Sequence, residues 1–313
     1  MVEAVLRLIG ERAPFARPRH TQLLQARDGW IAVSLARADD IASVPAWLGT
    51  DDLAAVADRT TAELVAQATL LGMPVAALGE YGGPAIVRHA YERIAPTCRT
   101  EATRSTRLGV IDLSSLWAGP LCTRLLAEAG AYVVKVESTT RPDGGRIGSP
   151  EFFERLNSRK SHVALDLSSA AGVAQLRDLI NNADVVVEST RPRALRQLGI
   201  DAADFLQADD GLRVWASITG YGRSSNRVAF GDDAAVAGGL VRPGPCFTDD
   251  AIADPLTGLR AAAAIFEALT SDDPCLLDIA MAGVAREVAG TAPSNLASWN
   301  RSAGTTAPSS DAP

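Results

Sequence analysis

The stretch "LGVIDLSSLWAGPLCTRLLAEAGAYVVKVE", Leu108 to Glu137, decides the fold class. It starts with a β-rich apolar run, passes through a short turn into a helical pattern, and ends in a second β-rich run. A helix between two strands predicts a parallel pair with a crossover connection. The turn SSLWAGP lacks the glycine fingerprint of dinucleotide sites, which argues against NAD. Ala118 and Gly119 keep this turn small, and Pro120 suits the first position of the helix.

The same alternation continues along the chain. The predicted strands are LGVIDL, YVVKVE, HVALDL, DVVVES, LRVWASI and CLLDIAM, and the predicted helices cover Pro120–Ala129, Ala170–Asn182, Pro192–Leu198, Asp233–Gly239 and Pro255–Leu269. Apolar strands separated by helices predict an α/β fold, with a doubly wound, mostly parallel sheet in a Rossmann-like large domain. Ahead of it, a β-rich run at Ala26 to Ala36 and a capped helix starting at Thr60 predict a smaller α+β domain.

These differences in predicted elements and composition divide the chain into four regions. Residues 1–97 form the predicted small-domain-like α+β region, and the polar, aperiodic residues 98–107 form a linker. Residues 108–289 form the predicted Rossmann-like large domain. Residues 290–313, rich in Ser, Thr, Ala and Pro, are predicted to be a disordered tail.

Composition excludes several classes of function. The net charge of −7 argues against a general nucleic-acid binder, because neutralising phosphates requires a basic surface. The cysteines, histidines and acids show no metal-type spacing, so no metal site is predicted. The chain begins with no recognisable signal peptide and has no apolar run of membrane-spanning length, so we expect a cytoplasmic protein without membrane contact.

Three stretches carry candidate chemistry when read without reference to any family. The turn before the first helix of the large domain lies where open α/β sheets bind ligands, although it also suits an ordinary strand–helix connection. Cationic residues gather at Arg155 to His162 and at Arg191 to Arg196, where they suit either a phosphate ligand or a solvated surface.

Acidic residues precede two predicted helices. Asp254 stands immediately before Pro255, which suits a helix N-cap and equally an ionised carboxylate nucleophile whose pKa is lowered by helix amides. Asp232 and Asp233 stand at another helix start; one of them suits a cap, and the pair suits acid–base chemistry.

Five motifs in chain order resemble the class III CoA-transferase family, which includes formyl-CoA transferase, carnitine CoA-transferase and α-methylacyl-CoA racemase. They are Val110 to Leu113 with Ala118 to Pro120, Gly130 to Glu137, Leu156 to Leu167, Ala183 to Ile200, and Ser217 to Gly222. The resemblance covers about Leu108 to Ala282. The N-terminal stretches His20 to Ala36 and Leu71 to Leu78 resemble the family's small domain, which here precedes the large domain.

The resemblance implies a CoA-transferase that moves CoA between an acyl-CoA and a carboxylic acid through an aspartyl-acyl anhydride. By its place in the motif before the long small-residue helix, Asp254 matches the nucleophile. The positions that match the family's CoA-binding segments are Ser115, Leu116, Trp117, Ala118, Leu156, Asn157, Lys160, Thr190 and Arg191. Coenzyme A is then a substrate, with no permanently bound cofactor, and the implied partner is a second copy in a homodimer.

Two alternatives stay open. An acyl-CoA racemase or isomerase would use a His from a "GHD" motif, but the matching residues are Gly231, Asp232 and Asp233. A non-catalytic CoA-binding or partner subunit of a class III transferase would suit the altered domain order and the lack of an evident glycine-rich loop after the nucleophile helix.

Overall fold

The computed structural model describes residues 20–93, 107–208 and 212–291. The strands are β1 (Thr21–Ala26), β2 (Gly29–Ser34), β3 (Val75–Ala77), β4 (Ile86–Ala90), β5 (Gly109–Leu113), β6 (Tyr132–Ser138), β7 (Ser161–Leu165), β8 (Val185–Glu188), β9 (Val214–Thr219), β10 (Val241–Arg242), β11 (Cys246–Phe247) and β12 (Cys275–Ala280). The helices are α1 (Ala38–Ala42), α2 (Val44–Leu48), α3 (Thr61–Leu71), α4 (Ala118–Glu128), α5 (Gly145–Gly148), α6 (Pro150–Asn157), α7 (Ala170–Asn181), α8 (Pro192–Gln197), α9 (Ala202–Gln207), α10 (Gly231–Ala237), α11 (Ala253–Ala268) and α12 (Met281–Thr291), with a 3₁₀ turn at Leu53–Asp58.

The large sheet has seven strands in the order β4-β12-β9-β8-β5-β6-β7. All neighbouring pairs are parallel except β4 with β12, which places one antiparallel strand at an edge. The chain runs outward from β5 through β6 to β7 and then returns to β8 on the other side of β5. This reversal makes the crevice beyond β5 and β8 the topological switch point, where ligands of such sheets bind. The predicted α/β class is confirmed.

Apolar side chains cover both faces of the large sheet. On one face, Val110 and Ala216 pack with helices α4 and α11; on the other, Ile111 and Trp215 pack with α7 and α9. Alternate residues of β5 and β9 therefore point into different cores, as the pleat of a strand requires. No helix within residues 20–93, 107–208 and 212–291 is long and apolar enough to cross a membrane.

A small antiparallel sheet, β1-β2-β3, lies in the N-terminal part of the chain. Its core contains the fully buried Trp47 and Leu64, contributed by α2 and α3. Helix α3 begins with the predicted capping box, Thr60 with Glu63, and ends at Gly72 in the left-handed conformation (φ 69°). The sheet contacts α10 directly, since the amide of Gly79 donates to the carbonyl of Val236 at 2.9 Å.

The structure differs from several sequence predictions. Helices α1, α2, α5, α6, α9 and α12 were not predicted, and α4 begins at Ala118, so Pro120 is its third residue rather than its first. Strand β4 lies within residues 1–97 but belongs to the large sheet, while the division of the chain into domains stays a prediction. Residues 98–106 of the predicted linker and 292–313 of the predicted tail lie outside the described residues; Gly290 and Thr291 end α12.

Candidate active site

The turn between β5 and α4 stands at the switch point. Two side chains hold its backbone: the Ser115 amide donates to Oγ of Ser189 at 3.1 Å, and the Leu116 amide donates to both carboxylate oxygens of Asp143 at 3.1 and 3.2 Å. Leu116 has φ 69°, a left-handed conformation that is rare outside glycine. Such a turn is fixed by its surroundings rather than by its own sequence.

Beneath this turn, four buried charges form two ion pairs. Nζ of Lys160 lies 2.9 Å from Oδ2 of Asp112, and Nζ of Lys135 lies 3.0 Å from Oδ2 of Asp143. Burial alone would raise the pKa of Asp112, but the charges of Lys160 and Lys135, with hydroxyl groups of Ser114 and Thr123, lower it. Each charge is therefore matched inside the protein, which is how charged groups are tolerated there. Lys135 also donates to the carbonyl of Ser114 at 2.8 Å, which ties the pairs to the turn.

Asp254 lies against the turn, in the first helical turn of α11. Its Oδ1 accepts a hydrogen bond from the amide of Ala118 at 3.3 Å. This approach depends on Gly258, one turn further along α11, where an added Cβ would lie 2.7 Å from the carbonyl oxygen of Ala118. Gly231 is equally required, because a Cβ there would collide with the Asp254 carboxylate and would lie 2.5 Å from the carbonyl oxygen of Ala251.

The environment of Asp254 corrects two predictions. Helix α11 begins at Ala253 and its N-cap is Ile252, so Asp254 is a residue of the first turn and not the cap. The pKa of Asp254 was expected to be lowered by helix amides, but it is raised to about 7. Burial is the main cause, with further contributions from the charges of Asp232, Asp233 and Asp250, and these outweigh the amide of Ala118. Asp254 nevertheless keeps part of its surface exposed.

Asp232 and Asp233 occupy the first turn of α10. Oδ1 of Asp232 accepts from the amide of Ala251 at 2.8 Å. Oδ1 of Asp233 accepts from the amide of Phe230 at 2.9 Å and from Oγ of Ser34 at 2.8 Å. One of the two acids was expected to be the cap, but the N-cap of α10 is Phe230, and Asp233 is the third residue of the helix, where its side chain bonds back to the N-cap amide. Burial raises the pKa of Asp233 to about 7. An acidic cluster therefore surrounds Asp254, and the small sheet contributes Ser34 to it.

Several cationic side chains lie near Arg191, which follows the end of β8. Arg191 is the N-cap residue of α8 and is exposed. Partial burial and the positive charges of Arg37, Arg193 and Arg141 lower its pKa. Mutually repelling cations of this kind are relieved by an anion, and guanidinium groups suit phosphate.

The structure brings some of the predicted site residues together and turns others inward. Ser115, Leu116, Trp117 and Ala118 form the turn itself, with Trp117 edge-on to Phe152 at 5.0 Å between ring centroids. Thr190 and Arg191 lie at the end of the adjacent β8, where the Thr190 hydroxyl donates to Glu188.

Leu156, Asn157 and Lys160 face the protein interior. Nζ of Lys160 donates to Asp112, Pro120 and Asn157 at 2.7 to 2.9 Å, so its positive charge serves the buried network. Their assignment to CoA stays a prediction, and the contacts that they make favour support of the turn. Sequence reasoning missed Lys135, Asp143 and Arg37; a lysine within the apolar run YVVKVE was the signal for Lys135.

Comparison with known proteins identifies the family of this chain. The model of CoA-transferase family III matches residues 107–304. The chain belongs to this family. Its members include succinyl-CoA:glutarate CoA-transferase of Mus musculus, which is 32% identical over 181 residues, covering 51% of this chain and 40% of that protein. Human α-methylacyl-CoA racemase is 33% identical over 119 residues, covering 38% of this chain and 29% of that protein.

A solved structure supports the same relationship. A CAIB/BAIF family protein from Brucella suis has a TM-score of 0.55 and 26% identity, covering 62% of this chain and 57% of that one. The chain spans about two fifths of the length of the curated transferase that it matches. The family resemblance predicted from the sequence motifs is confirmed.

Proposed function

We propose that this chain carries the CoA-binding turn and the nucleophile of a class III CoA-transferase, which transfers CoA from an acyl-CoA to a carboxylic acid. The observation that carries the proposal is the contact between the Asp254 carboxylate and the Ala118 amide at the switch point. Family membership supports the reaction class, and the exposed turn residues Ser115 and Leu116 support access for a long substrate.

In the proposed reaction, an oxygen of ionised Asp254 attacks the thioester carbonyl carbon. The C–S bond breaks, CoA leaves as the thiolate, and an acyl-aspartyl anhydride forms. An oxygen of the acceptor carboxylate then attacks the Asp254 carbonyl carbon of the anhydride, the bond from that carbon to the donor acid breaks, and the donor leaves as its carboxylate, which gives a second acyl-aspartyl anhydride. Attack of the thiolate on the new acyl carbon gives the second acyl-CoA and regenerates the Asp254 carboxylate. No external oxidant, reductant or metal is needed for these steps.

The chain's own groups support each requirement of this scheme. A carboxylate with a pKa of about 7 is a stronger base than an ordinary aspartate while remaining substantially ionised near neutral pH. The Ala118 amide hydrogen bond stabilises the ionised form and orients it. The cations at Arg141, Arg191 and Arg193 suit the phosphate groups of CoA, which would place its thioester end along the turn.

The racemase alternative has less support at this site. Proton exchange at an α-carbon needs an acid and a base on opposite sides of that carbon. Besides burial, the pKa of Asp254 is shifted by the hydrogen bond from the Ala118 amide and by the carboxylates of Asp232, Asp233 and Asp250. Asp232 stands where the family motif has its His. We therefore retain the transferase as the proposal. We also expect the protein to be cytoplasmic and homodimeric, and light scattering of the purified protein tests the homodimer.

Hydroxylamine trapping tests the proposed mechanism. The protein is incubated with a panel of acyl-CoA esters and hydroxylamine, and the modified residue is located by mass spectrometry. We expect a hydroxamate at Asp254 and no turnover by Asp254→Ala. Asp204→Ala, which removes an exposed aspartate from the first turn of α9, is the matched control and should retain activity. Full activity of Asp254→Ala contradicts the mechanism, and CoA binding without turnover of any ester favours the non-catalytic alternative.

A further inference from the structure

Two strained residues flank the contact between Asp254 and Ala118. Within residues 20–93, 107–208 and 212–291, Leu116 (φ 69°) and Ala251 (φ 45°) are the non-glycine residues in the left-handed region. A side chain disfavours this conformation, so it persists only where the surroundings hold it. Leu116 lies two residues before Ala118, and Ala251 lies three residues before Asp254.

A buried carboxylate holds the backbone of the first strained residue. Both oxygens of Asp143 accept from the Leu116 amide, at 3.1 and 3.2 Å. Asp143 is itself fixed by the ion pair with Lys135 at 3.0 Å and by the hydrogen bond from its own amide to Glu137 at 2.8 Å. Its position is therefore set by β6 and the following loop, independently of the turn that it holds.

A second buried carboxylate holds the other strained residue in the same way. Oδ1 of Asp232 accepts from the Ala251 amide at 2.8 Å. The carbonyl of Ala251 then accepts from the amide of Asp254 at 2.9 Å. The chain of contacts leads from the first turn of α10, through one strained residue, to the backbone of the nucleophile.

We propose that Asp143 and Asp232 are positioning residues for the transfer reaction: each carboxylate clamps one left-handed turn, and the two turns together set the Ala118 amide against the Asp254 carboxylate. This inference rests on the proposed function, since it assigns the clamps to the step that Asp254 carries out. Asp143 acts through the Leu116 backbone that it holds. Asp232 acts through the Ala251 backbone, and its charge also raises the pKa of Asp254.

The clamps make a specific prediction about kinetics. Without a clamp, a strained turn relaxes, and a shift of about 1 Å in a reacting group lowers a rate by about 100-fold. We expect Asp143→Ala and Asp232→Ala each to lower kcat by about 10- to 100-fold, with KM for the acyl-CoA changed less than about threefold. Asp184→Ala is the matched control, because Asp184 also accepts a backbone amide, that of Gly109 at 2.8 Å, but at the opposite end of β5. It should retain kcat.

Conservative variants separate positioning from simple loss of folding. Asp232→Asn keeps an oxygen that can accept from Ala251, so it should recover at least half of the kcat lost in Asp232→Ala. Asp143→Asn should recover less, because Lys135 loses its charged partner in a buried place. Equal loss of kcat in all three alanine variants, or full kcat in folded Asp143→Ala and Asp232→Ala, overturns the inference.

A readout without turnover distinguishes failure of the clamps from failure of the proposed function. The amide proton of Ala118, followed by NMR, should shift as pH passes through about 7, because it is bonded to the Asp254 carboxylate. In Asp143→Ala and Asp232→Ala this shift should fall below half of its wild-type size. If the shift in the two alanine variants is as large as in the wild type, the role of the clamps is overturned. If the wild-type protein shows the shift but transfers no CoA, only the proposed function is overturned.

Discussion

Replacing Gly258 by alanine should weaken the Ala118–Asp254 contact without altering either residue. A Cβ at position 258 would lie 2.7 Å from the Ala118 carbonyl oxygen and 3.0 Å from Cβ of Leu121. The carbonyl belongs to the backbone of α4 and cannot rotate away, so α11 and α4 must separate by about 0.7 Å to restore ordinary contact. The amide-to-carboxylate distance is already 3.3 Å, and this separation takes it beyond hydrogen-bonding range.

The loss of this hydrogen bond has a calculable effect on pH dependence. A hydrogen bond to a charged group contributes about 1.5 kcal/mol at the lower end of its range, and a pKa unit corresponds to 1.36 kcal/mol, so the pKa of Asp254 should rise by about one unit. In the wild type a pKa of about 7 means that the acylation rate rises tenfold per pH unit in acid and levels off above neutrality. Gly258→Ala should therefore react about tenfold more slowly at pH 6 and approach the wild type near pH 9.

Single-turnover acylation measures this difference. Release of the CoA thiol is followed with a chromogenic disulfide between pH 5 and 9, in a Cys246→Ser background because the Cys246 thiol is exposed. Gly290→Ala is the control, since a Cβ at this position in α12 would meet open space. A Gly258→Ala protein whose pH midpoint coincides with that of the wild type would refute the reasoning, and so would an equal displacement in Gly290→Ala.

Three further perturbations test other parts of the site. Lys160→Met leaves the Asp112 carboxylate buried without its partner, so the free energy of unfolding measured in urea should fall by about 3–5 kcal/mol, and adding Asp112→Asn should recover part of the loss. The pKa of Asp233 is raised to about 7 in the folded state, so wild-type stability declines as pH rises from about 4 to 7. Asp233→Asn should therefore stabilise the protein more at pH 8 than at pH 4, and the midpoints of urea unfolding measure this difference. Arg191→Ala should raise KM for acyl-CoA by about tenfold, and a smaller rise with the 3′-dephospho ester would assign Arg191 to the 3′-phosphate rather than the diphosphate.

The large sheet could be predicted because its signals are local. Each of the six predicted strands is a short apolar run, and a buried parallel strand needs little else to be recognised. Helix α6 was missed because its sequence, PEFFERLN, is short and lies beside a cationic stretch that reads equally well as surface. Strand β4 was missed because IVRHA is mostly exposed and gains its place only by pairing with β12, about 190 residues further along the chain.

The position of Asp254 at the start of a helix could be predicted from the sequence, but its electrostatics could not. Asp254 could be singled out from its motif, yet its expected pKa rested on the assumption that it would cap a helix facing solvent. Its pKa is raised mainly by burial and also by the carboxylates of α10, and both depend on tertiary packing. The same holds for Lys160: a lysine in a cationic stretch suits a phosphate, and only the fold reveals the Asp112 carboxylate that neutralises it.

The small sheet is part of the site's surroundings in spite of its unusual place in the chain. Ser34 at the end of β2 bonds to Asp233, and Arg227, near the start of α10, donates to the carbonyl of Val75 in β3 at 2.8 Å. Arg37 lies just beyond β2 and close enough to Arg191 to affect its pKa. A segment that precedes the large domain in sequence thus reaches both the acidic cluster and the cationic one. Because α10 also carries Asp232, which accepts from the Ala251 amide, a displacement of the small sheet should also displace the residues that precede Asp254.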